Sequence, residues 1–278
     1  MRRTPRRAFM ADGEGRIVAA FQAARDEGRA ALMPYMMAGF PDRDAGLAVA
    51  AAYVDAGADL IELGVPFSDP LADGPTIHSA DTKALEEGAT LRTALEVCEA
   101  VGDQVPVVLM VYVNMVLAHG GGAQFAKLGR AAGASGAIVP DLPLGEDEGI
   151  REAFKEAGLA MVPLVAPTTS PERRKEICEV ATGFIYVVST VGTTGERGEL
   201  PAELADLVAQ TKADAGDTPV AVGFGIGTAA QAAEVGKVAD GVIIGSRLVR
   251  AAGEGASPAE SADAVAEFLA ETRVSLSG

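Results

Sequence analysis

The sequence predicts an α/β fold, a single (β/α)8 barrel with one extra helix ahead of its first strand. Eight short apolar or β-branched runs recur roughly 30 residues apart, which is the length of one strand–helix unit. Ala/Glu/Leu-rich helical stretches separate the runs, and the runs do not alternate with polar residues, as is typical of parallel strands buried on both faces. The length of 278 residues also suits this fold, because such barrels commonly form from about 250 residues.

The eight predicted strands follow one another at regular intervals. They are Ala31–Ala38, Asp59–Leu63, Val107–Tyr112, Ala137–Val139, Met161–Val165, Phe184–Val188, Val220–Phe224 and Gly241–Ile244. An open, doubly wound sheet is the alternative, and it usually carries a Gly-rich turn after its first strand. Here the first strand is followed by AGFPD, residues 38–42, which is a poor match to GxGxxG.

The predicted helices have recognisable starts. Ser170, Pro171 and Glu172 place an N-cap, a first-turn proline and an acid favoured by the helix dipole side by side. Two further helical stretches, Arg16–Glu27 and Pro258–Arg273, are expected to close the bottom of the barrel and its outer layer. Four arginines among the first ten residues predict a disordered basic tail over residues 1–14, followed by the catalytic barrel domain over residues 15–278.

Charge and composition exclude several classes of function. A net charge of −16 argues against a nucleic-acid partner, because phosphate backbones select for clustered basic residues. The apolar runs are too short to cross a bilayer, so no membrane association is expected. Two histidines are too few for a histidine-rich metal site. Cys98 and Cys178 are expected to be free thiols in a reducing cytoplasm.

The first candidate for catalysis is Glu62, an acid inside an apolar strand. Side chains alternate along a strand, so either Glu62 or its neighbours Ile61 and Leu63 point into the barrel. At the barrel mouth, where active sites of this fold lie, a desolvated carboxyl has a raised pKa that suits general acid–base catalysis. The alternative is a buried salt bridge, but no Lys or Arg lies within 18 residues on either side.

A second candidate lies in the loop that follows this strand. Three prolines between Pro66 and Pro75 restrict the loop, so its acids are expected to be held in place. Asp73 stands immediately before Gly-Pro and the next helix. Its position is equally compatible with a catalytic carboxylate and with a simple helix N-cap.

Glycine clusters late in the chain predict a phosphate site. Gly225 and its neighbours follow the seventh strand, and Gly245 with Ser246 follows the eighth. Loops after these two strands, with a helix N-terminus, form the recurrent phosphate site of (β/α)8 barrels. The glycine-rich segment from Thr190 to Glu199, after the sixth strand, has the composition of a lid, although an ordinary flexible loop is the alternative.

The residues present narrow the chemistry. A Schiff-base mechanism requires a lysine inside the barrel, but all six lysines are predicted to lie in helical stretches. A metal-assisted mechanism requires a ligand set that the chain lacks. Cleavage of a carbon–carbon bond would therefore need an electron sink in the substrate, assisted by carboxylates.

The segment ELGVPFSDPLADGPTI, residues 62–77, resembles the tryptophan synthase alpha subunit family and is highly specific for it. The resemblance runs from about Pro34 to Val249 and includes VLMVYVN, VPDLP, GFGI and IGS at the third, fourth, seventh and eighth strands. It implies a (β/α)8 barrel that splits indole-3-glycerol phosphate into indole and glyceraldehyde 3-phosphate, a retro-aldol reaction of tryptophan biosynthesis. The indole ring would then be the electron sink.

The resemblance also implies roles for individual residues. Glu62 would be the general acid and base, and Asp73 would stabilise the indole N–H and the cationic ring. The implied substrate-binding residues are Tyr112, Tyr186, Thr194, Gly195, Phe224, Gly225, Gly245 and Ser246. The chain itself would carry no cofactor, and its partner would be a pyridoxal-phosphate-dependent beta subunit in an α2β2 heterotetramer.

Four residues depart from the usual pattern of that family: Met37, Phe40, His78 and Thr193. None of them replaces a catalytic carboxylate, but they affect the first loop, the second loop and the lid. Other functions stay open, namely another phosphosugar barrel lyase or isomerase, a lyase active without a beta partner, or a phosphate-binding barrel that only regulates a partner.

Overall fold

The computed structural model describes residues 12–146, 149–188, 202–223 and 225–278, and it contains the predicted barrel. Its strands are β1 Ala31–Met37, β2 Ile61–Gly64, β3 Val107–Met110, β4 Gly136–Ile138, β5 Ala160–Met161, β6 Leu164–Val165, β7 Ile185–Val188, β8 Val220–Gly223 and β9 Gly241–Ile244. They are all parallel and lie in the order β5-β4-β3-β2-β1-β9-β8-β7-β6. Each predicted strand is present, and the fifth is divided into β5 and β6.

The division of the fifth strand is where the barrel closes. β5 pairs with β4, whereas β6 pairs with β7. Between them, the amide of Val162 donates to the carbonyl of Ala137 at 2.9 Å, and the carbonyl of Pro163 accepts from the amide of Tyr186 at 3.0 Å. Pro163 has no N–H to give to a ladder, so one extended segment changes partners at the proline and joins the two edges of the sheet.

Twelve helices are found in the described part of the chain. They are α1 Gly13–Asp26, α2 Arg43–Asp55, α3 Pro75–Glu86, α4 Leu91–Val101, α5 Val113–Ala118, α6 Gly121–Ala132, α7 Ile150–Glu156, α8 Pro171–Glu179, α9 Ala202–Ala215, α10 Ala229–Gly236, α11 Ser246–Glu254 and α12 Pro258–Leu276. The predicted start of α8 is confirmed, since the Ser170 side chain accepts a hydrogen bond from the Arg173 amide and Pro171 opens the helix. None of these helices is long and apolar enough to cross a membrane.

Helix α1 is the predicted extra helix, and it closes the amino-terminal end of the barrel. Ile17, Phe21 and Ala24 on its buried face pack against side chains from the barrel interior. The helix begins at Gly13, with the Asp12 side chain accepting from the Gly15 amide at 2.8 Å. The last two residues of the predicted tail are therefore helical, because Asp12 supplies an N-cap that satisfies an otherwise unpaired amide. The first 11 residues lie outside the described part, and their disorder stays a prediction.

Helix α12 completes the outer layer, as predicted, and packs against α2, α10 and α11. An ion network ties its end to the bottom of the barrel. The Asp59 carboxylate accepts two hydrogen bonds from the Arg29 guanidinium, at 2.6 and 2.8 Å, and lies 3.4 Å from a guanidinium nitrogen of Arg273 on α12. Arg29 is buried, so Asp59 and Glu27, whose carboxylate lies 2.9 Å from the Arg29 Nε atom, provide the negative charge that this buried cation needs.

Two parts of the core, apart from a third cluster around Tyr35 and Met37, show how β2 is oriented. One part lies between sheet and helices and includes Ile61 and Leu63. The other fills the barrel and includes Leu60 and Val108. Because side chains alternate along a strand, Glu62 lies on the same face of β2 as Leu60 and points into the barrel. This placement resolves the choice left open by the sequence.

Candidate active site

The Glu62 carboxyl lies inside the barrel, above the apolar side chains that fill the barrel interior. It is 2% exposed, and its strand neighbours in register are Tyr35 on β1 and Val108 on β3. Its Oε2 atom has no hydrogen-bond partner among the described residues. No basic side chain of the described residues pairs with this oxygen.

Burial changes the acidity of Glu62. Desolvation, together with a smaller contribution from the negative charge of Asp73, raises its pKa from 4.5 to about 8. Desolvation disfavours the charged form of an acid, and a like charge does the same. Glu62 is therefore protonated at neutral pH and able to donate a proton, with a pKa close to that of an efficient general acid and base.

Asp73 is held at the same end of the barrel by a tyrosine that follows β3 and is the N-cap of α5. The Tyr112 hydroxyl donates to Asp73 Oδ2 at 2.8 Å and accepts from the amide of Ala72 at 3.0 Å. Burial raises the pKa of Asp73, whereas the Tyr112 hydrogen bond and the charge of His78 lower it. The departure at His78 thus places an imidazole near this carboxylate.

The structure tests one of the two interpretations of Asp73, the helix N-cap. The N-cap of α3 is Gly74, and no side-chain hydrogen bond caps the helix. The N-cap interpretation of Asp73 is therefore wrong. Because Pro75 occupies the first helical position and has no N–H, the first turn has one donor fewer to satisfy, and the Asp73 carboxylate is paired with Tyr112 instead.

Two more tyrosines fill the mouth around Glu62, and glycines make room for both. A Cβ at Gly64 would lie 2.2 Å from the Tyr35 hydroxyl, and a Cβ at Gly223 would lie 2.2 Å from the Tyr186 hydroxyl. Tyr186 was predicted to line the substrate pocket, and it lies in the barrel interior near Glu62. Burial raises the pKa of the Tyr186 hydroxyl, and the charge of Glu62 raises it by a smaller amount. Tyr35 was missed, although a tyrosine at an inward position of β1 was a usable signal.

Asp81 is a second residue that the sequence did not single out. It lies on α3 and is 2% exposed, and its Oδ1 accepts from the Phe67 amide at 3.1 Å. Burial raises its pKa to about 7, with the charge of Asp73 acting in the same direction. The available signal was an acid at helical spacing between Ile77 and Ala84 on the apolar face of a helix.

Three of the predicted phosphate residues, Gly225, Gly245 and Ser246, follow the carboxyl ends of the paired strands β8 and β9. Gly245 is the N-cap of α11, which begins at Ser246, and no side chain caps this helix. Gly225 follows β8 by two positions and is half-buried. The positive end of the α11 dipole and its first amides therefore face the same end of the barrel as Glu62. Thr194, Gly195 and Phe224, together with the predicted lid, lie outside the described part of the chain.

The remaining expectations concern lysines, metals and thiols. All six lysines lie in the described part, and none is at the end of a strand: five lie in helices, and Lys237 is the C-cap of α10 rather than a helical residue. No group of three or more metal-binding side chains occurs among the described residues. Cys98 and Cys178 are free and buried, as expected.

Three departures from the family pattern are in the described part. Met37 is buried against Gly64 and packs with Tyr35. Phe40 packs beside Gly253 on α11. The side chains of both residues thus contribute apolar packing around the first loop. His78 is exposed in the first turn of α3. The fourth departure, Thr193, lies outside the described residues.

Comparisons with known proteins agree with this arrangement. The family model for the tryptophan synthase alpha chain matches residues 21–276. The tryptophan synthase alpha chain of Deinococcus radiodurans is 43% identical over 261 residues, which are 91% of this chain and 94% of that protein. The tryptophan synthase of Saccharomyces cerevisiae is 42% identical over 237 residues, or 84% of this chain but 33% of that longer protein. A structure of Mycobacterium tuberculosis tryptophan synthase superposes with a TM-score of 0.87 at 39% identity, covering 94% of this chain and 98% of the matched one.

Proposed function

The chain belongs to the tryptophan synthase alpha chain family, and we propose that it cleaves indole-3-glycerol phosphate with Glu62 and Asp73. The reaction is a retro-aldol cleavage that yields indole and glyceraldehyde 3-phosphate, and it makes the chain a carbon–carbon lyase of tryptophan biosynthesis. The observation that carries the residue assignment is the buried Glu62 carboxyl, with one oxygen unpartnered in the described structure, beside an Asp73 carboxylate held by Tyr112.

Glu62 supplies the proton transfers. Its protonated carboxyl donates to C3 of the indole ring, which becomes a cationic indolenine. The resulting carboxylate then removes the proton from the glycerol hydroxyl next to the ring. The electrons of that O–H bond form the aldehyde, and the electrons of the breaking carbon–carbon bond return to the ring. Glu62 ends protonated, so one residue with a pKa near neutrality serves both steps.

Asp73 stabilises the charge that develops in the ring. A carboxylate that accepts the indole N–H lowers the energy of the cationic indolenine more than that of the neutral substrate, which is the requirement for catalysis. The Tyr112 hydroxyl occupies Oδ2 of Asp73, so Oδ1 is the oxygen assigned to the indole N–H. Phe67 stacks on Tyr112, with ring centroids 5.0 Å apart, and this pair forms an aromatic wall that suits an indole ring.

The phosphate is assigned to the amides of Gly225, Gly245 and Ser246 at the other side of the mouth. Backbone amides and the α11 dipole attract an anion without a lysine. Thr194, Gly195 and Phe224 are assigned to substrate binding on the family pattern alone. No cofactor is assigned to this chain. The proposed partner is a pyridoxal-phosphate-dependent beta subunit in a cytoplasmic α2β2 assembly.

The proposal is tested by measuring indole release from indole-3-glycerol phosphate, with and without a tryptophan synthase beta subunit. Wild-type protein should release indole, and Glu62→Gln should lower kcat by roughly 10²–10⁴-fold while the chain stays folded. Glu267→Gln, at an exposed position of α12, is the matched control and should retain wild-type turnover. Near-normal kcat in folded Glu62→Gln would overturn the assignment of Glu62. A different phosphosugar as the only substrate cleaved would favour another barrel lyase or isomerase, and full activity without a beta subunit would favour a stand-alone lyase.

A further inference from the structure

Asp81 is a buried acid that the proposed reaction does not use. It lies on the apolar face of α3 beside Ile77, Ala80 and Ala84, and it is 2% exposed. Its Oδ1 accepts one hydrogen bond, from the Phe67 amide at 3.1 Å, and its Oδ2 has no partner among the described residues. Burying a carboxyl with an unsatisfied oxygen is costly. An apolar residue would serve packing at this position better.

Asp81 is connected to Asp73 through two residues, Phe67 and Tyr112. Phe67, whose amide Asp81 holds, stacks its ring on Tyr112 with an interplanar angle of 24°. The Tyr112 hydroxyl donates to Asp73 and also accepts from the Ala72 amide. Phe67 and Asp73 belong to one loop, between β2 and α3. Asp81 therefore anchors the first part of this loop, and Tyr112 anchors its last part.

We propose that Asp81 is a positioning residue for the cleavage reaction, which holds the β2–α3 loop from the helix side so that Asp73 meets the indole N–H. This inference rests on the proposed function, because it needs the role assigned there to Asp73. Asp81 acts as a hydrogen-bond acceptor for a backbone amide and does not contact the substrate. An asparagine retains that acceptor, whereas alanine and leucine delete it.

Kinetic parameters separate positioning from simple stabilisation. Asp81→Ala should lower kcat by about 10-fold or more and change KM less than about 3-fold, because misplacing a catalytic group mainly affects the transition state. Asp81→Asn should retain kcat within about 3-fold of wild type. Asp81→Leu fills the site with an apolar side chain and removes the acceptor, so it should lose kcat like Asp81→Ala and keeps the test available if the alanine variant does not fold.

Two further measurements make the test specific. Ala84→Gly destabilises the same helix by about 1 kcal/mol or more at a buried position, and it should leave kcat unchanged because the Asp81 acceptor of the Phe67 amide stays in place. In a double-mutant cycle, Tyr112→Phe combined with Asp81→Ala should lose less kcat than the product of the two single losses, because both residues act through the position of Asp73.

The outcomes distinguish this inference from the proposed function. If wild-type protein releases no indole from indole-3-glycerol phosphate, the proposed function fails, and the inference about Asp81 fails with it. If wild-type protein is active, the inference alone is overturned when Asp81→Ala or Asp81→Leu has the kcat of Ala84→Gly. Strictly multiplicative losses in the cycle with Tyr112→Phe would also overturn it, since Asp81 would then act independently of Asp73.

Discussion

Replacing Glu62 with glutamine should stabilise the folded chain at neutral pH while it removes activity. The pKa of Glu62 is raised from 4.5 to about 8 by burial. Below pH 4.5 the carboxyl is protonated in both the folded and the unfolded chain, so it imposes no pH-dependent penalty. Between pH 4.5 and about 8 the unfolded chain has released this proton and the folded chain has kept it, and stability falls as pH rises.

The size of the effect follows from the two pKa values. Each pH unit in this window favours unfolding by about 1.4 kcal/mol. At pH 7 the penalty is about 3 kcal/mol, at pH 8 it is about 4 kcal/mol, and it levels off near about 5 kcal/mol only above pH 8. Glutamine has nearly the volume of protonated glutamic acid and does not ionise, so Glu62→Gln should lose this penalty. A penalty of this size is a large part of the stability of a typical domain.

The assay is urea unfolding of wild type and Glu62→Gln at several pH values between 5 and 8. The difference in unfolding free energy should grow in favour of Glu62→Gln by about 1.4 kcal/mol per pH unit. The control Glu267→Gln, exposed on α12, should show no such growth relative to wild type. A difference between wild type and Glu62→Gln that stays constant from pH 5 to 8 would refute the conclusion that burial holds Glu62 protonated.

Three other changes test the rest of the structure. Asp73→Asn should lower kcat more than it raises KM, because the ring cation develops on the way to the transition state; lower stability at unchanged kcat would contradict this. Ser246→Asp should raise KM for indole-3-glycerol phosphate and weaken binding of glyceraldehyde 3-phosphate but not of indole, by charge repulsion; an unchanged KM would place the phosphate elsewhere. Asp59→Ala should lower the unfolding free energy in urea by about 2–3 kcal/mol at unchanged kcat, because it removes two hydrogen bonds to buried Arg29 and leaves this cation with the Glu27 carboxylate; a loss below about 1 kcal/mol would show that the network contributes little.

Local patterns were sufficient to predict the barrel, and together with the family motif they singled out the two candidate carboxylates. Strand and helix positions depend on residues near in sequence, so the apolar runs and the Ser170 cap could be located without tertiary information. The fifth run was predicted as one strand, but Pro163 interrupts its hydrogen bonding and it forms β5 and β6. Glu62 was identified because a lone acid in an apolar strand is conspicuous, and Asp73 because its loop carries a family-specific motif.

The environment of those carboxylates depends on residues that are distant in sequence. Tyr112 reaches Asp73 across 39 residues, and only the pairing of neighbouring strands brings them together. The same closure places Tyr35 beside Glu62 and brings Asp81 under the loop at Phe67. Periodicity alone left open whether Glu62 or its neighbours point inward, and whether Asp73 caps a helix. Burial and hydrogen-bond partners decide both questions, because a side chain acquires its pKa and its partners only when the strands and helices around it have packed.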